Sequence, residues 1–146
     1  MKLSTRSTYG VRMMALLATS HGRGPVLLKE VAERERISEK YLSQIVIPLR
    51  SAGLLRSVRG AHGGYALARE PGQITVREIV EVLEGGLDLV DPQEERDEPP
   101  QATDRTISRM WKRLSGEMVR TLDSITLGDI VVQANEDAHT HGTYSI

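Results

Sequence analysis

The chain of 146 residues suffices for one domain, or for a small domain with an appended helix. Apolar residues make up 39% of it, but Phe is absent and aromatics are only 3%, so the core must be aliphatic. The lack of cysteine excludes disulfides, thiolate metal sites, cysteine nucleophiles and cysteine-ligated iron–sulfur clusters. The net charge of −1 is an average over two unlike halves. Residues 1–70 carry twelve Lys/Arg against five Asp/Glu, and residues 71–146 carry seven against fifteen. A front half of net +7 and a back half of net −8 place any phosphate-facing surface in the front half.

Residues 4–20 read as a helix capped by Ser4, with Tyr9, Met13, Leu16 and Leu17 on one face. The short apolar stretch Met13–Ala18 is the buried face of this helix rather than a signal segment. No apolar run approaches the ~20 residues that span a bilayer, so a cytoplasmic protein without a membrane partner is expected. His21-Gly22-Arg23-Gly24-Pro25 breaks the helix, and His21 is placed to meet its C-terminal dipole. A second helix covers about 28–35. A third is capped by Ser38 and ends near Ala52 and Gly53, with Pro48 expected to kink or divide it. Two short strands, 54–59 and 64–68, flank a glycine-rich tip.

Thr75-Val76-Arg77-Glu78 is a capping box for a helix through Leu83 that Gly85-Gly86 ends. Residues 88–104 hold seven acidic residues, one Arg and three Pro, and read as a mobile loop. A long helix over about 104–124 carries Ile107, Trp111, Leu114, Met118 and Leu122 at the helical period, with Ile125 beyond them. Thr126-Leu127-Gly128-Asp129 opens a last short helix, and a polar, frayed tail follows from Asn135. The fold class is therefore mainly α with a small β-hairpin. It divides into a winged helix-turn-helix domain (1–84), a flexible acidic loop (85–103), a dimerisation helix with a short C-terminal helix (104–134) and a tail (135–146).

Two features carry the chemistry. With Leu28 as the first position of a helix-turn-helix, the fourth is Val31, the fifth Ala32, the tenth Ile37, the fifteenth Leu42 and the eighteenth Ile45. Ala32 permits close approach of the two helices, Ile37 plugs the turn, and Leu42 and Ile45 face inward. The turn position that often holds Gly is Arg36 here. With Leu42 and Ile45 inside, Lys40, Tyr41, Ser43 and Gln44 turn outward near the N-terminus of a recognition helix. Gln44 suits a paired hydrogen bond to adenine, and Lys40 reaches guanine or phosphate. Tyr41 is expected to read bases beside them or, with Ser43, to hold the backbone. Ser38 approaches phosphate.

The second feature is Arg59-Gly60-Ala61-His62-Gly63-Gly64-Tyr65. A phosphate-binding loop needs a helix after the glycines, whereas Tyr65-Ala66-Leu67 reads as a strand. The segment is a wing: Gly60 and Gly63 let its backbone press on the groove, and Arg59 and His62 reach into it. Lys2, Arg6 and Arg12 add candidate phosphate contacts. The long stripe of Ile107, Trp111, Leu114, Met118 and Leu122 is too large for a monomer's surface and predicts a homodimer on a pseudo-palindromic site in double-stranded DNA. The rival reading is a protein-interaction module of the same fold. An enzyme has no support, because no nucleophile is paired with a base.

These residues carry a family resemblance. Met1-Lys2-Leu3-Ser4-Thr5, Ile37-Ser38-Glu39-Lys40-Tyr41-Leu42-Ser43-Gln44, Leu49-Arg50-Ser51-Ala52-Gly53-Leu54, Ser57 to Tyr65 and Ile125-Thr126-Leu127-Gly128-Asp129 resemble the Rrf-two family of winged-helix transcriptional regulators. The resemblance spans about residues 1–134. It implies a homodimeric transcription factor whose long helix crosses its partner's, and a repressor rather than an activator is expected. Cluster-binding members carry cysteines in the loop before that helix, and this chain has none, so no cluster cofactor is expected. The wing and acidic loop look more like the cluster-free members, whose activity is set by a partner enzyme. Two weak divalent-metal candidates remain: the acidic loop, and Asp137 with His139 and His141.

Overall fold

The computed structural model describes residues 2–90, 99 and 101–143. Six α-helices and one antiparallel hairpin are found among them. Helix α1 spans Thr5–Thr19, and Ser4 caps it by accepting the Ser7 N–H. Helix α2 is Leu28–Glu35 and α3 is Glu39–Ser51. Strands β1 (Leu55–Val58) and β2 (Gly64–Leu67) form the hairpin. A single 3-10 turn, Pro71–Gln73, leads into α4, Val76–Glu84. Helix α5 spans Ala102–Asp123, and α6 spans Leu127–Thr143.

The core is aliphatic and is centred where α1, α3 and α4 meet. Met13, Met14, Leu42, Ile45, Leu49, Leu54, Ile74, Ile79 and Leu127 are all but fully buried. Gly10 lets α1 and α4 approach closely, since a Cβ there would lie 2.1 Å from Leu83 Cδ1. The capping box opening α4 is complete: Glu78 donates its N–H to Thr75 Oγ1 and accepts the Thr75 N–H. Arg69 Nη2 adds a 2.6 Å bond to the same carboxylate. Burial pushes Glu78 up, but the bonds from Arg69 and Thr75 outweigh it and hold the carboxyl below its ordinary value.

Three expectations change. Of the two outcomes expected of Pro48, division does not occur, because α3 runs from Glu39 to Ser51 through it. The last helix is not short, and the tail from Asn135 is helical to Thr143. Bonds from the Gln133 amide to Asp137 and from Thr140 Oγ1 to the Glu136 carbonyl support its later turns. Nor does α6 belong to a separate C-terminal unit. Leu127 is fully buried, and Ile130 and Val131 pack on the same core. Val76 N–H donates to the Ile125 carbonyl (2.8 Å) and Leu127 N–H to the Ile74 carbonyl (2.9 Å), bridging the entries to α4 and α6. Residues 91–98 and 100, the middle of the expected acidic loop, lie outside the described residues. Asp104 at its far end caps α5 through the Gln101 N–H.

Candidate nucleic-acid interface

The turn between α2 and α3 is closed by Arg36, whose backbone takes the left-handed conformation (φ 54°). The arginine therefore adopts the shape that a glycine takes without strain, at a cost of order 1 kcal/mol. Ile37 is buried beneath the turn, and its N–H donates to the Ala32 carbonyl at 3.1 Å. Ser38 Oγ accepts the Tyr41 N–H at 3.0 Å and caps the recognition helix, as expected. Leu42 and Ile45 are wholly buried, which turns Lys40, Ser43 and Gln44 to solvent. Ser43 Oγ donates to the Lys40 carbonyl at 2.6 Å, so its hydroxyl proton is spent within the helix.

Tyr41 does not stand wholly free on the outward side of α3. Its ring is half-buried and meets Tyr9 edge-to-face, with centroids 5.6 Å apart. The ring fixes the recognition helix to α1. Arg12 likewise is not a free phosphate ligand. Its Nε pairs with Glu35 Oε2 at 2.9 Å, its Nη2 donates to the Glu35 carbonyl at 2.8 Å, and its guanidinium lies 5.7 Å from the Tyr9 ring centroid. Arg12 thus caps α2 from the side of α1. Lys2 and Arg6 are exposed at the start of the chain and the first turn of α1.

The wing pairs Leu55 with Leu67, Arg56 with Ala66, Ser57 with Tyr65 and Val58 with Gly64. It is wider than the sequence reading allowed. Val26 and Tyr65 exchange two backbone bonds, of 2.9 and 2.8 Å, so Val26 forms a one-residue third strand. This bridge is why position 64 is glycine. Its φ is 145°, and a Cβ there would sit 2.4 Å from the Val26 carbonyl oxygen. Arg59, Gly60 and His62 lie exposed at the tip. Gly63 is instead buried, with its N–H donated to the Gly60 carbonyl at 3.0 Å. It shapes the wing and has no free donor for a phosphate.

Lys40 and Arg50 on α3 and Arg56, Arg59 and His62 on the wing are all exposed, and Arg50 Nη1 lies 3.5 Å from Ser57 Oγ, linking the recognition helix to the wing. His21 is drawn elsewhere, with its Nε2 3.2 Å from Glu70 Oε2. His139 and His141 lie two positions apart on α6 and so leave opposite sides of the helix, while Asp137 accepts from Gln133. No cluster of three or more His, Asp or Glu suited to a metal ion occurs among the described residues.

The stripe on α5 stands in the open. Ile107 and Leu114 are 45% and 46% exposed, Trp111 is 39% exposed, and Met118 and Leu122 are half-buried. Met110, which the periodicity count passed over, joins them at 47%. None of the residues of α5 is buried, although Arg77 lies 3.7 Å from Asp123 at its C-terminal end and Ser115 Oγ, near its middle, accepts the Leu89 N–H.

A helix-turn-helix flanked by a glycine-tipped hairpin on a bridged third strand defines a winged-helix, DNA-binding protein of transcription regulation. The family model Rrf2, described as "Iron-dependent Transcriptional regulator", matches residues 3–133, and the chain belongs to that family. It is 41% identical over 144 residues to the HTH-type transcriptional regulator CymR of Bacillus subtilis, covering 99% of each chain. It is 33% identical over 147 residues to the HTH-type regulator IscR of Citrobacter koseri, covering 97% of this chain and 89% of that one. The solved structure of CymR, titled the global cysteine regulator of B. subtilis, superposes with a TM-score of 0.78 at 43% identity, covering 91% of this chain and 98% of that one. T. potens IscR superposes at 0.76 with 42% identity, covering 94% and 90%. The iron in the family's description meets no thiolate in this chain, so its residues do not fit a cysteine-ligated cluster.

Proposed function

We propose that the chain is a cytoplasmic repressor that binds a pseudo-palindromic operator as a homodimer and uses no cysteine-ligated cluster. It acts by occupying DNA and catalyses no reaction. The observation that carries this reading is the exposed stripe of Ile107, Met110, Trp111 and Leu114 on a helix with no buried residue, attached to a winged domain that exposes Lys40 and Arg50 on its recognition helix and Arg59 on its wing. A second copy crossing at that stripe would bury it and set two recognition helices about one DNA turn, ~34 Å, apart. Lys40 and Gln44 then read the major groove and Arg59 and His62 the minor groove, while Ser38, Ser43, Gly60, Lys2 and Arg6 lie along the backbone. The signal comes from a partner enzyme, in keeping with the likeness to cluster-free members of the family.

Fluorescence anisotropy on the DNA upstream of the chain's own gene, at two salt concentrations and against scrambled competitor, tests the reading alongside sedimentation of the free protein. Competitor-resistant binding by a dimer is expected, with a log–log salt slope near −0.9 per phosphate contact. A monomer, or binding that scrambled duplex erases, would overturn it in favour of a module whose partner is a protein.

A further inference from the structure

We propose that Ile47 is a base-reading residue whose side chain packs on the C5 methyl of a thymine in the major groove. The inference rests on the operator-binding reading above and adds to it a specificity determinant that the sequence analysis did not single out.

Ile47 is 65% exposed, the most exposed of the large hydrophobic residues among those described. The remaining aliphatic side chains of α3 that build its core face, Leu42, Ile45, Val46 and Leu49, are all buried. Ile47 is therefore no part of that core. It follows Lys40 by seven positions, Ser43 by four and Gln44 by three, and so continues the face those residues present. Arg50, also exposed, follows three positions later.

The charges along this face indicate what covers the isoleucine. An apolar protein partner would have to desolvate Lys40 on one side and Arg50 on the other. A polyanion keeps both cations paired while the apolar side chain between them meets the floor of the groove. The apolar feature among the major-groove base edges is the thymine methyl, and aliphatic side chains read it by contact. Isoleucine has no hydrogen-bonding group, so its preference is confined to that methyl. Lys40 and Gln44 on the turns before it read by hydrogen bonds, and Ile47 extends the same track by packing.

The test begins with the wild-type site selected from a random duplex library. Each thymine is then replaced by deoxyuridine, symmetrically in both half-sites, and Kd is measured for the wild type and for Ile47→Ala. At one symmetric thymine pair, loss of the methyl should weaken the wild type about four-fold per half-site, and about sixteen-fold in the full site. Ile47→Ala should bind the thymine and uracil sites alike at that pair, and Ile47→Val should retain most of the difference. The side chain is exposed, so unchanged circular dichroism and melting of the variants are expected. Equal responses of wild type and Ile47→Ala to uracil at every position would overturn the proposal. If the wild type does not distinguish its selected site from scrambled duplex, the operator-binding reading fails first and takes this one with it.

Discussion

Ser7 Oγ donates a 2.6 Å hydrogen bond to Glu84 Oε1, tying the first turn of α1 to the last residue of α4. The same oxygen accepts the N–H of Ser4 at 2.8 Å and its hydroxyl at 2.7 Å. These donors, Ser7 foremost, hold the Glu84 carboxyl below its ordinary value. A carboxylate favoured in the folded state stabilises it fully above the unfolded pKa, and that contribution fades as pH falls through the folded pKa. Glu84→Gln should therefore melt below the wild type at neutral pH and converge with it in acid. Thermal unfolding of both proteins across pH 7 to 3 checks this, and a constant gap would refute it. Ser7→Ala, at a wholly buried position, should cost about 1 kcal/mol.

Arg36→Gly should stabilise the fold. The left-handed conformation at this position strains any residue with a Cβ. A gain of about 0.5–1 kcal/mol in urea unfolding is expected, with the extra backbone freedom of glycine when unfolded offsetting part of the relief. A loss of stability would show that the arginine side chain contributes more than its backbone costs.

Gly64→Ala should act in the opposite direction. The added methyl meets the Val26 carbonyl, and φ is unfavourable for alanine. A loss of more than about 2 kcal/mol is expected, with faster amide exchange at Tyr65 and Val26 than in the rest of the core.

Arg59→Ala should spare the fold, because Arg59 stands exposed at the wing tip. Operator affinity should fall about ten-fold or more, with a shallower salt dependence by about one unit of slope per half-site. Unchanged affinity would remove the wing from the recognition mechanism.

Leu114→Glu should split the dimer and leave the winged domain folded, since no residue of α5 is buried within the protomer. Sedimentation should show a monomer with unchanged helical circular dichroism. Operator affinity should fall steeply, because each half-site is then bound alone.

Features written in local chemistry were legible in the sequence. The caps at Ser4, Ser38 and Thr75 and the apolar spacing of α3 and α4 determine those helices within a few neighbouring residues. The wing was legible because glycines must stand where the backbone is crowded. What escaped depends on partners distant in the chain. Val26 shows no sign in its own neighbourhood that Tyr65 will bridge it. Tyr41 and Arg12 read as outward-facing in the sequence because Tyr9 and Glu35 become their partners only once α1 lies across the motif. The extent of α6 was lost because its polar composition resembles a tail, although its first turns close the core through Leu127.

The bridge between Ile74–Val76 and Ile125–Leu127 has a geometric consequence for the proposed dimer. It locks the far end of α5 to the root of α4, which packs on the recognition helix. In a two-fold pair, each reading head is then coupled to its own α5 through main-chain atoms, so the way the two α5 helices cross is passed on to the heads. Substitutions in the α5 stripe that shift the crossing would therefore alter the stride between half-sites as well as the strength of the pairing, so partnership and operator spacing are bound to evolve together.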